Sequence, residues 1–133
     1  MKFARGFLIW NGLMFGGYGI YCLLDPSLVS ELAEIQLNTN TAIIEARSMY
    51  GGLQLTIGLY LVYCALQTAR VSQGLLVAIF IFAGLAGARS FGLAIDGGDS
   101  NYNVIAAVYE SICGVIAVYL LQKNYQEPTT AGT

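Results

Sequence analysis

The chain has 133 residues, 56% of them hydrophobic and only 11% charged, with a formal net charge of −2 and no histidine. Soluble domains carry about 25% charged residues, so the composition excludes an ordinary soluble core and points to one small domain in a membrane. The absence of any basic stripe excludes nucleic acid as a partner. The absence of His removes the commonest general base and neutral metal ligand, so neither a metal nor a cofactor is expected.

A helix needs about 20 mostly apolar residues to cross a hydrocarbon core of about 30 Å, and four stretches qualify: about residues 7–24, 42–66, 73–95 and 104–121. Lys2 and Arg5 precede the first. It is long for a signal-peptide core and lacks a small-x-small cleavage site, so it is expected to be a span. Asp25-Pro26-Ser27 follows and predicts a helix start, with Asp25 as N-cap and Pro26 at the first helical position. Leu28, Leu32 and Ile35 then recur at helical spacing, which predicts a short amphipathic helix on the outer membrane surface. Residues 67–72 read as a tight turn between the second and third spans. Asp96-Gly97-Gly98-Asp99 reads as a turn between the third and fourth, with glycine supplying positive φ. The polar stretch 126–133 is expected to be a mobile tail on a single four-helix domain, residues 1–125.

Orientation follows from the flanking cations. Lys2, Arg5, Arg70 and Lys123 fall on one side of a four-span protein, while Asp25, Glu31, Glu34, Asp96 and Asp99 fall on the other. The sequence therefore predicts an all-α integral membrane four-helix bundle with both termini cytoplasmic.

Five strongly polar side chains interrupt these apolar runs: Glu45, Arg47, Gln54, Arg89 and Glu110. Burying a charge in a bilayer costs about 2.5–3.5 kcal/mol on insertion scales, so such residues mark a ligand site, a relay or an internal ion pair. Counting 1.5 Å per residue from the span ends puts Arg47 about 8 Å and Arg89 about 9 Å below the outer interface, with Glu110 at a similar depth. Arg47, Gly51, Gln54 and Gly58 share one helical face; so do Arg89, Gly92 and Asp96, and so do Asn103, Ala107, Glu110, Gly114 and Ala117. The charged faces are rich in small residues, and Gly12-xxx-Gly16 and Ala83-xxx-Gly87 add to that signal. These faces are expected to point inward. Tyr50 and Tyr109 lie beside the charges as hydrogen-bond candidates, whereas Tyr18, Tyr21, Tyr102, Tyr119 and Tyr125 suit an aromatic belt.

Three readings of the polar layer remain open. Arg89 and Glu110 form a structural pair, with Arg47 held by Gln54, Tyr50 or an outer carbonyl. Alternatively Arg47, Tyr50, Gln54, Arg89, Glu110 and Glu45 line an outward-facing pocket for a small amphipathic ligand, since Arg binds carboxylates and phosphates bidentately. In the third reading Glu110 acts as acid or base on a lipid or quinone. Cys22, Cys64 and Cys113 show no metal-binding spacing and read as small packing residues.

The stretch Glu45-Ala46-Arg47-Ser48-Met49-Tyr50-Gly51-Gly52, then Gly58, Arg89-Ser90-Phe91-Gly92, Asp96-Gly97 and Glu110, resembles a small bacterial four-span membrane family of unknown function, DUF4345. Asp25-Pro26 after the first span is similar too. The resemblance covers nearly the whole chain. It implies a four-helix membrane bundle in a bacterial inner membrane and implies no activity. Together these readings make a non-catalytic binder or an accessory subunit of a larger membrane complex the leading expectation. The expected partners are the lipid bilayer, a small amphipathic ligand, and a membrane-protein complex or further copies of the chain.

Overall fold

The computed structural model describes residues 1–97 and 101–126; the Gly98–Asp99 half of the acidic turn and residues 127–133 of the tail lie outside the described residues. Among the described residues the chain is all-helical, and four helical stretches are long and apolar enough to cross a membrane: Lys2–Leu24, Asn40–Leu66, Thr68–Ile95 and Asn101–Tyr125. Their elements are α1 (Lys2–Leu24), α2 (Ser27–Ala33), α3 (Asn40–Ala46), a π-helical segment (Arg47–Leu53), α4 (Gln54–Leu66), a 3₁₀ turn (Thr68–Arg70), α5 (Val71–Ile95) and α6 (Asn101–Gln126). Large apolar side chains such as Trp10, Phe80, Phe91 and Ile105 are exposed, as expected where the surrounding solvent is hydrocarbon.

The fold divides into two units, Ile9–Tyr63 and Met1–Leu8 with Cys64–Thr133. In the first, α1 runs antiparallel to the second long stretch and the two backbones nearly touch. A Cβ built on Gly58 would strike the backbone of Gly16 and Gly12, and one on Gly19 would come within 2.8 Å of the Gly51 carbonyl oxygen. Gly51 itself admits Leu23, whose Cγ lies 2.8 Å from its Cβ position. Without a hydrophobic drive between helices in lipid, this close van der Waals contact is what holds the pair.

The link after α1 departs from expectation in detail. Asp25 Oδ1 accepts the Ser27 backbone N–H at 3.0 Å, but Pro26 occupies the N-cap position, so α2 begins one residue later than predicted. Glu34 ends the helix in a left-handed conformation (φ 56), so Ile35 lies beyond it and the buried residue of α2 is Val29. The short helix Ser27–Ala33 thus exists, but its spacing of Leu28, Leu32 and Ile35 does not define its buried side. Thr39 caps α3 through its side chain, which accepts from the Ala42 N–H at 3.1 Å.

In the second unit α5 and α6 form an antiparallel pair. Asn124 Nδ2 donates to Ser72 Oγ at 2.8 Å at one end, and Arg89 meets Glu110 toward the other. Phe82 sits fully buried between, with the Phe7 and Tyr109 rings each 6.5 Å away by centroid. Gly74 lets Leu8 and Cys64 reach α5: its Cβ position is 2.9 Å from Leu8 Cδ1 and 2.7 Å from Cys64 Cβ. Gly97 has φ +68, as the turn chemistry requires. All three cysteines are buried and unbridged, which fits the packing role read from their spacing.

One small-residue motif does not behave as predicted. Ala83 and Gly87 are exposed, and a Cβ on Gly87 would meet nothing within 4 Å. A small-xxx-small pattern permits close approach but does not supply a neighbour.

Candidate functional site

The face of α6 read from the sequence is the buried one: Ala107, Glu110 and Ala117 are buried, with Asn103 and Gly114 partly so. Arg89 of α5 reaches this face as a planar fork. Its Nε donates to Glu110 Oε2 at 3.1 Å and its Nη2 to Oε1 at 2.9 Å. A third donor, Nη1, meets Asn103 Oδ1 at 2.7 Å, and the guanidinium carbon lies 5.6 Å from the centre of the Tyr102 ring. The side chains keep 22% and 8% of their surface, respectively. This is the bidentate geometry that makes an arginine–carboxylate bond short and directional.

Arg89 borders a groove of about 390 Å³ running along α5 to the turn. Gly84, Ala88 and Gly92 form its low floor, and Arg89, Asn103 and Asp96 supply its polar wall. Asp96 is exposed, and its Oδ2 lies 3.8 Å from the Cβ position of Gly92. Glu110 borders a second, largely apolar groove of about 440 Å³ on the Ala83 side.

Arg47 takes a different kind of partner. Its Nη1 donates to the carbonyl oxygens of Leu23 and, at 3.1 Å, Leu24. These are the last carbonyls of α1, which have no partner within their own helix and carry the negative end of its dipole. The same solution recurs in the second unit, with Arg5 Nε donating to the Ala65 carbonyl at 2.7 Å near the end of α4. Of the acceptors expected for Arg47, the carbonyl is the one used. Arg47→Ala should therefore strip a partly exposed helix end of its donor and lower stability by about 1 kcal/mol. Arg47→Lys should recover part of the loss, and unfolding in detergent would measure both.

Asp25 lies close to this cap, outside the span. The Ser27 backbone N–H, then the Ser27 side chain and the Arg47 charge, hold its carboxyl below the ordinary 3.8. A depressed carboxylate lends stability at neutral pH that is lost only as the pH falls through its folded value.

Glu45 is exposed on α3, and Tyr50 is half-buried in the π-helical segment. Gln54 follows directly, and its Oε1 is buried without a hydrogen bond. Tyr109 packs edge-on against Phe82. Three features escaped the sequence reading. Tyr102 is a wall of the Arg89 site rather than part of a belt alone. Asn11 is 1% exposed inside α1, visible in the sequence as a polar residue in an apolar run but weaker than the charges. Arg47–Leu53 is π-helical; it coincides with the Arg47-to-Gly52 motif, and π segments recur at functional positions. Among the described residues no cluster of three or more His, Cys, Asp or Glu is arranged to hold a metal ion.

An all-helical, multi-pass membrane protein with an arginine–carboxylate fork set against a polar groove is the class these features define. The chain belongs to the family described as Domain of unknown function (DUF4345), which matches residues 3–121 and so contains every candidate residue above. No curated protein and no solved structure matches it.

Proposed function

We propose that this protein is a non-catalytic membrane binder that holds a small or lipid-like ligand in the groove beside Arg89. One observation carries the reading: Arg89, held from behind by Glu110 and bonded to Asn103, lines with Asn103 and Asp96 a groove of about 390 Å³ whose other walls are small residues and Leu85 and Leu93. Ligand sites are typically about 300–1,000 Å³, mostly apolar, with a few convergent polar groups. A polar head fits beside Arg89, Asn103 and Asp96, and an apolar body along Gly84 and Ala88. Both Glu110 oxygens accept from the fork, so acid or base chemistry on a lipid or quinone would first require the fork to open. That favours binding over catalysis.

The distribution of Lys2, Arg5, Arg70 and Lys123 supports cytoplasmic termini in a bacterial inner membrane, which would turn the Asp96 end outward. A C-terminal reporter that is active only outside the cytoplasm would overturn that orientation. A second reading, an accessory subunit of a larger complex or an oligomer, draws on the exposed Ala83, Gly84 and Gly87, which would let a foreign helix approach closely.

Native mass spectrometry of the gently extracted protein separates these readings. The binder should retain a small molecule that disappears in Gly84→Leu. A Cβ there meets nothing within 4 Å, so that variant fills the groove without disturbing the fold. A stoichiometric larger protein, with no small molecule, would favour the subunit. Turnover of an added lipid or quinone that is abolished by Glu110→Gln would favour the enzyme.

A further inference from the structure

A third groove lies at the opposite end of the α5–α6 pair, in the same unit as the Arg89 site. It has about 510 Å³, with apolar walls of Phe3, Phe7, Ile116, Tyr119 and Leu120 and with Lys123 in its lining. Phe3 and Tyr119 are exposed, so the slot opens sideways to the surroundings of the helices. The Asn124–Ser72 hydrogen bond brings the end of α6 beside the start of α5, and the Arg5–Ala65 bond anchors the start of α1 at the end of α4.

These contacts collect Lys2, Arg5, Arg70 and Lys123 at one end of the unit. Among the described residues that end carries no Asp or Glu; Glu127 lies outside them. Arg5 is engaged by a carbonyl, and Arg70 by the side-chain oxygens of Gln67 and Gln73. Neither Lys2 nor Lys123 makes an ion pair with any described residue, and Lys123 is the one at the groove. An apolar slot with an ammonium in its lining that pairs with no described carboxylate is complementary to an amphiphile with a negative head. Basic pockets between membrane helices recognise anionic headgroups in this way.

We infer that this groove is a binding site for an anionic phospholipid, with an acyl chain along Phe3, Phe7, Ile116 and Leu120 and the phosphate at Lys123. Tyr119 and Asn124 line the same slot and offer hydrogen bonds to the glycerol and phosphate oxygens. The site is independent of the Arg89 groove and of whatever that groove holds.

The test uses the full chain in detergent micelles doped with phosphatidylglycerol or with phosphatidylcholine, with retained lipid read by native mass spectrometry. Phosphatidylglycerol should be retained preferentially, and Lys123→Gln should reduce that preference about fivefold, the weight of one cation near an anionic headgroup. Leu120→Trp, which fills the slot and keeps the charge, should reduce it as well, while Lys123→Arg should preserve it. Equal retention of the two lipids would overturn the assignment. So would an Arg70→Gln loss as large as that of Lys123→Gln, because the preference would then belong to the general surface charge and not to the groove.

Discussion

Arg89→Met is expected to destabilise the protein by about 3–5 kcal/mol, more than any other single side-chain truncation in the second unit. The reason is the carboxylate left behind. Glu110 keeps only 8% of its side-chain surface, and both its oxygens depend on the Arg89 fork. Glu110→Met should cost less, because Arg89 retains 22% of its surface and Asn103 as a hydrogen-bond acceptor. Arg89→Met/Glu110→Met should then be more stable than Arg89→Met alone, since a buried pair can often be replaced by apolar side chains at little cost. A double-mutant cycle on unfolding in mild detergent, with ligand retention measured in parallel, gives the coupling directly. If the double variant keeps both stability and its bound molecule, the pair is neither a structural requirement nor part of the site. If stability returns but retention is lost, the charges serve the ligand.

Gly58→Ala and Gly19→Ala should each lower stability by about 1–3 kcal/mol, and the leucine variants should disrupt the pairing of α1 with α4 altogether. In both cases the added carbon meets backbone, at Gly16 and Gly12 in one and at Leu55 and Gly51 in the other, and backbone cannot swing aside as a side chain can. Gly16→Ala and Gly17→Ala are the internal controls. A Cβ at either meets nothing within 4 Å, and removing glycine from a helix interior is worth about 0.5–1 kcal/mol, so both should be neutral or mildly stabilising. Thermal unfolding followed by the fluorescence of Trp10, the single tryptophan, would rank the four. Equal losses at all four would mean that the close approach of the two helices contributes little.

Much of this arrangement is legible in the chain because it depends on local pattern. Runs of apolar residues reported the four long helices, and the spacing of Ala107, Glu110 and Ala117 reported the buried face of α6 before any partner was known. Gly12 and Gly58 were flagged by small-residue spacing and do meet, whereas Ala83 and Gly87 carry the same pattern and do not. The pattern records what an approach would tolerate, and whether a helix arrives depends on the rest of the fold.

The sequence by itself determined the four membrane-length helical stretches and the presence of charge within them, because length, hydropathy and a 3.6-residue period are properties of one segment at a time. Only the tertiary structure decided which acceptor satisfies each arginine. A guanidinium within an apolar helix can be satisfied by a carboxylate or by the open carbonyls of a helix end, and the chain uses both: Glu110 for Arg89, and Leu23 with Leu24 for Arg47. The same is true of the π-helical stretch at Arg47–Leu53, because α and π turns differ in which backbone groups bond rather than in composition, and long-range packing makes that choice.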